Sequence, residues 1–271
     1  MSADRPHAEP RPPAGGGPAL AGRVFAVTRP QAQADSLCAR IEAEGGQALR
    51  FPLLAIDPPA STAELDDVLP RLETFDLAFF VSPNAIAHAL GYLLPRCTWP
   101  PGLAVATVGK GSERVLRSHG FATVIAPAEG FDSEAVLALD EFSAAAIAGR
   151  RVLIFRGDGG RNLLADTLRA RGAEVEFVCC YRRSCPPLDP ALLLQAHARQ
   201  ALDGLLLTST EGVGNLLSII GTAGVEALRE LAVFVSHPRI GAAARAAGFE
   251  HLVLTEAGDD GLMQALRQHF G

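Results

Sequence analysis

An internal repeat constrains this chain more than any other feature of its sequence. Gly45 and Gly172 lie 127 residues apart, at equivalent points of two copies. One inserted residue then lengthens the offset, so that Asp132 and Asp260 lie 128 residues apart. Solenoid proteins repeat every 20 to 50 residues or so, a much shorter period. The long period therefore predicts two related domains.

Each copy alternates apolar runs, typical of buried strands, with helical patterns. GRVFAVTRP (22–30) is a short apolar run of the kind that fills parallel sheets. The next segment places apolar side chains on one helical stripe, and the same order returns from GRRVLIFRG (149–157) onward. Strands that alternate with helices in this way predict parallel sheets covered on both faces. The expected fold class is α/β, with two similar domains and chain crossings at 47–57 and 174–183.

Composition argues against several classes of protein. The formal net charge of -6 disfavours a nucleic-acid partner held by a broad basic face. No run of 18 or more uncharged apolar residues occurs, so we expect no membrane-spanning helix and no membrane partner. The N-terminus lacks the apolar core of a secretory signal. Residues 1–21 are rich in Pro and Gly, and we predict that they form a disordered tail.

The cysteines and histidines show no pattern of a metal site. The five cysteines are odd in number and form no CxxC pair, which disfavours a disulfide framework or a zinc site. The seven histidines are scattered along the chain. We therefore expect a cytoplasmic protein without a bound metal.

Donor-rich turns follow the apolar strands of both copies. In open α/β sheets, ligands bind beyond the carboxyl ends of the strands, where backbone N–H groups at a helix start attract anions. The residues at these turns that we expect to bind a ligand are Thr28, Arg29, Ser82, Asn84, Gly109, Ser112, Arg156, Thr208, Ser209, Ser236, His237 and Arg239. Two such sets across a cleft would suit a large ligand with several negative groups. The alternative is that Ser82, Ser112 and Ser209 only cap helices and that His237 is structural.

Tyr181 is the candidate for chemistry. It ends the apolar run FVCCY (177–181) at one of the expected crossings. A phenol there could donate a proton or a hydrogen bond to a leaving group, or its ring could simply wedge a hinge. Other motifs fail: RGDGGRN (156–162) lacks the spacing and the Gly-Lys-Ser/Thr ending of nucleotide-binding loops, and no GxSxG elbow is present.

With these features, the chain resembles the uroporphyrinogen-III synthase family over nearly all of residues 22–270. The order, spacing and duplication of six segments carry the resemblance. These segments are VTRP (27–30), FVSPNAI (80–86), AVATVGKGS (104–112), LIFRGDGGRNLLADTLRARGAEVEFVCCYRR (153–183), LLLTSTEGV (205–213) and FVSHPRI (234–240). The resemblance implies two α/β domains joined by a two-stranded linker. One domain would comprise residues 22–46 together with 184–271. The other would be 57–173, and the linker strands would be 47–56 and 174–183.

The resemblance also implies a reaction. The family closes hydroxymethylbilane, a linear tetrapyrrole, into a macrocycle with inversion of the last ring and loss of water, and uses no metal or cofactor. Tyr181 matches the tyrosine proposed to assist departure of the hydroxyl group. The turns expected to line the family's cleft carry Ser82, Ser112, Ser209, Ser236 and Arg239. We expect a monomer that acts on this small molecule.

Two rival functions remain open from the residues alone. One is a two-lobed cytoplasmic binding protein that closes on a polyanionic small molecule without reacting, which the fold class does not exclude. The other is a nucleotide-dependent enzyme, which the broken glycine spacing of residues 156–162 disfavours.

Overall fold

The structure, a computed structural model, describes residues 18–130 and 132–271. They form two compact units: the first contains the described residues up to Ala55 together with Cys185–Gly271, and the second is Ile56–Ser184. The predicted tail lies outside the described residues over 1–17. Residues 18–21 instead form turns, in which Leu20 is fully buried and its N–H donates to the Glu44 carbonyl. The apolar side chain of Leu20 is what ties this segment to the first unit.

Strands and helices alternate along the chain as the periodicity predicts. The strands are β1 (Val24–Val27), β2 (Gln47–Arg50), β3 (Ala55–Asp57), β4 (Leu77–Phe80), β5 (Ala104–Thr107), β6 (Arg151–Gly157), β7 (Glu174–Ser184), β8 (Gly204–Leu207), β9 (Ala232–Val235) and β10 (Leu252–Leu254). The α-helices are α1 (Gln31–Ala43), α2 (Ala63–Val68), α3 (Pro83–Leu93), α4 (Lys110–Ser118), α5 (Ser133–Leu137), α6 (Ala144–Ile147), α7 (Leu163–Ala170), α8 (Pro190–Ala198), α9 (Thr210–Ala227), α10 (Pro238–Ala247) and α11 (Gly258–Phe270). Short 3-10 helices occupy Leu69–Thr74 and Asp140–Phe142.

The first unit contains a sheet in the order β10-β9-β8-β1-β2, whose paired strands run parallel. Side chains of β1 alternate between its faces. Phe25 and Val27 pack with α1 and α11, whereas Ala26 packs with α9 and α10. Helices therefore cover both faces, as expected for strands that are apolar throughout.

The second unit contains a sheet in the order β3-β7-β6-β4-β5, in which β4, β5, β6 and β7 pair in parallel. All four residues of β4 are buried. Ala78 and Phe80 pack with α2, α3 and α4, whereas Leu77 and Phe79 pack with α5, α6 and α7. The α/β fold class predicted from the sequence is confirmed.

The topology mixes the two copies of the repeat. In the first unit, β1 of the first copy pairs with β8 of the second copy, and β2 pairs with β1 on its other side. In the second unit, β6 of the second copy pairs with β4 of the first, and β7 pairs with β6 on its other side. Of the segments expected as linkers, 174–183 lies within β7, whereas 47–56 contains β2 and the first residues of β3 with a non-strand stretch between them. The chain passes between the units at Ala55–Ile56 and Ser184–Cys185.

One strand of the repeat is incomplete in the first copy. The second copy ends its sheet with β10, whereas the first copy has only a single bridge between Ala106 and Ile125 at that place. Pro127 follows two residues later. A proline has no N–H to give to the ladder and so disfavours its continuation.

A repeated carboxylate holds the start of a central strand in each unit. Asp76 Oδ2 accepts a hydrogen bond from the Arg151 backbone N–H at 2.8 Å. Its equivalent, Asp203, accepts from the Val24 backbone N–H at 2.8 Å and from Arg23 Nη1 at 2.9 Å. These carboxylates tie neighbouring strands together at the amino ends, opposite the turns expected to bind ligand.

Candidate functional site

In the second unit, α3 begins at the carboxyl end of β4. Ser82 has an extended backbone, and its Oγ accepts a hydrogen bond from the Ala85 backbone N–H at 3.1 Å. Pro83 takes the first helical position, where its missing N–H leaves no donor unsatisfied. The Ser-Pro pair therefore fixes the helix start at this edge of the sheet, and Ser82 does cap the helix. The positive end of the helix dipole lies here, where it favours an anion.

Tyr181 of β7 lies beside this helix start. Its phenol oxygen is 3.4 Å from Ser82 Oγ, a long separation for a hydrogen bond between hydroxyl groups. The side chain is 1% exposed, and its ring packs in the apolar cluster that includes Phe80 and Ile86. The Tyr181 ring therefore packs inside the second unit.

His88, one turn into α3, also neighbours the tyrosine. The His88 and Tyr181 ring centroids are 5.9 Å apart. Burial lowers the pKa of His88 below its usual value, and the negative charge of Asp57 opposes this shift. The imidazole is therefore neutral at physiological pH, which suits a position against an apolar ring.

Arg156 is the last residue but one of β6, and its guanidinium holds the loop that follows the strand. Nη1 donates to Asn162 Oδ1 at 2.8 Å and Nη2 donates to the Gly160 carbonyl at 2.9 Å. The guanidinium also lies over the Phe177 ring, 4.7 Å from its centroid. Gly160 has φ of 119°, a conformation that favours glycine. The loop that resembles a phosphate-binding motif is thus held by its own arginine.

The turn after β5 leads into α4. Gly109 is buried and precedes the helix, whose first residue is Lys110. Ser112 is 4% exposed and lies inside the first turn, so the interpretation of Ser112 as a helix cap is wrong. Hydrogen bonds from Arg117, and then from Lys110, lower the pKa of Glu113 in the same helix.

In the first unit, the end of β1 is anchored on two sides. Thr28 is buried, and its Oγ1 donates to the Leu206 carbonyl of the neighbouring β8. Arg29 forms an ion pair with Asp259 in the first turn of α11. These contacts account for the positions of both side chains within the protein itself.

The turn after β8 repeats the design of the turn after β4. Ser209 caps α9, and its Oγ accepts from the Gly212 backbone N–H at 2.9 Å. Thr208 precedes it and is half-buried. Ser209 is thus a structural counterpart of Ser82, but no tyrosine lies at the equivalent place, because the residue that corresponds to Tyr181 in the first copy is Leu54.

The turn after β9 places Ser236, His237 and Arg239 at the start of α10. Ser236 is half-buried, and His237 and Arg239 are exposed. His237 Nδ1 accepts a hydrogen bond from the Arg239 backbone N–H at 3.1 Å, so His237 caps the helix. This supports the structural interpretation of His237.

A cavity of about 440 Å³ opens beside the same turn and was not predicted. Its lining includes Pro238 of α10, Thr255 and Glu256 after β10, and Gln264 and Gln268 of α11. The repeat offered no signal for it, since Pro127 stands in the first copy where Thr255 stands in the second. Thr255 was not predicted, and the one signal that could have found it is its position at the end of β10.

The structure thus collects the predicted residues into one set per unit, each at the carboxyl edge of its own sheet. The set in the second unit is Ser82, Asn84, Gly109, Ser112, Arg156 and Tyr181. The set in the first unit is Thr28, Arg29, Thr208, Ser209, Ser236, His237 and Arg239. Within residues 18–130 and 132–271, no three His, Cys, Asp or Glu side chains cluster as metal ligands would. None of the helices described is long and apolar enough to cross a membrane.

The chain matches known proteins over most of its length. The family described as Uroporphyrinogen-III synthase HemD matches residues 35–264. The uroporphyrinogen-III synthase of Escherichia coli (strain K12) is 33% identical over 244 residues, which cover 89% of this chain and 98% of that protein. The same enzyme of Synechococcus elongatus (strain ATCC 33912 / PCC 7942 / FACHB-805) is 29% identical over 206 residues, or 75% of this chain and 76% of that one.

Solved structures share the fold. A mutant uroporphyrinogen III synthase from the extremely thermophilic bacterium Thermus thermophilus superposes with a TM-score of 0.58 at 19% identity, covering 91% of this chain and 99% of that one. A uroporphyrinogen-III synthetase from Helicobacter pylori 26695 gives a TM-score of 0.56 at 13% identity, with the same two coverages. At these identities, the likeness concerns the fold.

Proposed function

Because the chain belongs to the uroporphyrinogen-III synthase family, we propose that it closes hydroxymethylbilane into uroporphyrinogen III, inverting the last ring and expelling water. The family match over residues 35–264, which reaches into both units, carries this proposal. The reaction is that of a hydro-lyase in tetrapyrrole biosynthesis. It sets two tasks: the terminal hydroxyl must leave, and the last ring must be attacked at its substituted carbon.

Tyr181 is the residue we assign to the first task. Its phenol would donate a hydrogen bond to the hydroxyl as it leaves, and an azafulvene cation would remain on the bilane. The apolar surroundings of the ring would strengthen such a bond, because a low dielectric screens it little. Since Tyr181 is 1% exposed, this role requires that the bound bilane uncovers the phenol oxygen.

For the second task, which is attack of the last ring at its substituted carbon, we assign the residues in the turns at the carboxyl edges of the sheets. The substrate carries eight carboxylates, which suit hydroxyl groups and backbone N–H groups at the starts of α3 and α9. A net charge of -6 does not forbid this, because charges farther than about 10 Å away are largely screened at physiological salt. Holding the bilane at many points would bring the last ring into position for attack. We further propose that the protein works in the cytoplasm as a monomer.

Analysis of the product isomers tests the proposal directly. Freshly made hydroxymethylbilane is incubated with the purified protein, the products are oxidised, and the porphyrins are separated by chromatography. Without an enzyme, the bilane should close without inversion to isomer I. We expect dominant isomer III with the protein, and a much slower formation of isomer III with Tyr181→Phe. Isomer I at the rate of the blank would instead leave a two-lobed protein that binds a polyanion without reacting.

A further inference from the structure

Along strand β7, the regular alternation of side chains between the two faces of the sheet breaks at Cys180 and Tyr181. Val178, Cys180 and Tyr181 all belong to the cluster packed against α3, whereas Cys179 is only half-buried and lies outside that cluster. Side chains of a regular strand alternate, so an unbroken β7 would place Tyr181 on the face of Cys179.

The pairing of β7 with β6 shows where the alternation breaks. Arg156 lies opposite Cys179, and the next residue, Gly157, lies opposite Tyr181. Cys180 is therefore the extra residue of a β-bulge. Bulges of this kind re-aim a side chain, and here the bulge turns the Tyr181 phenol towards Ser82.

Gly157 forms a wall of the space that the tyrosine ring occupies. A Cβ on Gly157 would lie 2.7 Å from Tyr181 Cε2 and 2.8 Å from Cζ, well inside the contact distance of two carbon atoms. The backbone of Gly157 is not in the left-handed region that favours glycine. The need for glycine here is therefore steric, and it concerns the ring of Tyr181.

We propose that Gly157 is a positioning residue for the reaction, and that it acts by letting the bulge seat the Tyr181 phenol at the start of α3. The inference rests on the role proposed above for Tyr181. Any side chain at position 157 pushes the ring away and carries the phenol oxygen from its place beside Ser82. A misplacement of about 1 Å can slow a reaction on the order of 10²-fold.

The two tyrosines of the chain, Tyr92 and Tyr181, allow a test that does not depend on activity. Protein labelled with 3-fluorotyrosine gives one fluorine resonance for each, and Tyr92→Phe assigns them. Gly157→Ala should shift the Tyr181 resonance and leave the Tyr92 resonance in place. Gly159→Ala is the matched control, because a Cβ there meets no atom within 4 Å, and it should shift neither. An unmoved Tyr181 resonance in Gly157→Ala would overturn the proposal.

Kinetics then test whether Gly157 acts through the phenol. In the isomer III assay, Gly157→Ala should lower kcat on the order of 10²-fold, and Gly159→Ala should not. Gly157→Ala combined with Tyr181→Phe should be no slower than Tyr181→Phe alone, since both changes remove the hydrogen bond from the phenol to the leaving hydroxyl. Losses that multiply would show a separate role and overturn the proposal. If the unaltered protein forms no isomer III, the proposed function fails. The fluorine measurement still shows whether Gly157 sets the position of the Tyr181 ring, because it does not depend on activity.

A second background keeps the idea testable if Gly157→Ala does not fold. The side chain in Tyr181→Val ends at its Cγ atoms and so lacks the Cδ2, Cε2 and Cζ atoms that the new methyl group would meet. Adding Gly157→Ala to Tyr181→Val should therefore not lower the melting temperature further. A further drop would mean that the methyl group strikes something other than the ring, which contradicts the proposal.

Discussion

Replacing Ser82 separates its role as a helix cap from its role towards the substrate. Ser82→Ala removes the oxygen that accepts the Ala85 N–H, a loss of about 1 kcal/mol. The contact with Tyr181 Oη adds little, because at 3.4 Å it is longer than a normal hydrogen bond between hydroxyl groups. We expect the melting temperature to fall by roughly 2–4 °C.

Ser209 supplies a matched control in the same molecule. It lies 127 residues later, and its Oγ caps α9 with a hydrogen bond of 2.9 Å. Ser209→Ala should lower the free energy of unfolding by about the same 1 kcal/mol. Similar losses in both variants would show that the two serines do equivalent structural work.

Ser82→Gly isolates the contact with the substrate, because glycine at an N-cap costs only about a few tenths of a kcal/mol. If the hydroxyl donates to a substrate carboxylate, its loss removes a charge-assisted hydrogen bond. KM in the isomer III assay should then rise about tenfold in Ser82→Gly and in Ser82→Ala, with kcat less affected. An unchanged KM in Ser82→Gly, beside a lower melting temperature in Ser82→Ala, would refute the binding role and leave only the cap.

Three further outcomes are expected. Tyr181→Phe should lower kcat for isomer III on the order of 10²-fold with an unchanged melting temperature, and an unchanged rate would remove the phenol from the mechanism. Asp203→Asn should lower the free energy of unfolding in urea by about 1.5–3 kcal/mol, because the ion pair with Arg23 is lost; a loss within error would mean that water replaces that pair. Burial lowers the pKa of His88 from 6.5, so the folded protein binds fewer protons than the unfolded chain, and stability should fall as the pH drops below about 6.5. His88→Phe should show a smaller fall over that range, and an equal fall in both proteins would contradict this account.

Much of the fold follows from local patterns in the sequence. The repeat and the alternation of strands with helices predicted the parallel sheets, because the spacing of apolar residues reflects the period of each element. Glycines predicted helix ends in the same way: Gly45 and Gly172 have φ of 81° and 91° after α1 and α7. These features depend on neighbours in the chain, so one sequence is enough to find them.

The candidate site could be predicted only in part. One alternative placed Ser82 and Ser209 as helix caps, which they are, because a cap depends on the next few residues. His237 was placed only at a strand end, and its role as a cap came from the structure. Ser112 was misplaced, since the difference between a cap and the first turn of α4 is only three positions. Boundaries of this size depend on tertiary packing as much as on local propensity.

Contacts between distant residues were decided by the tertiary structure alone. Arg29 pairs with Asp259, 230 residues away, because the end of β1 and the start of α11 meet at one edge of the first sheet. The direction of the Tyr181 phenol depends on the bulge at Cys180, which exists only in the pairing of β7 with β6. The sequence by itself determined which residue types stand at the strand ends, because that depends on local periodicity. The register of the paired strands decided which of these residues come into contact and on which face of the sheet. Register depends on two strands at once, so one segment of the sequence does not determine it.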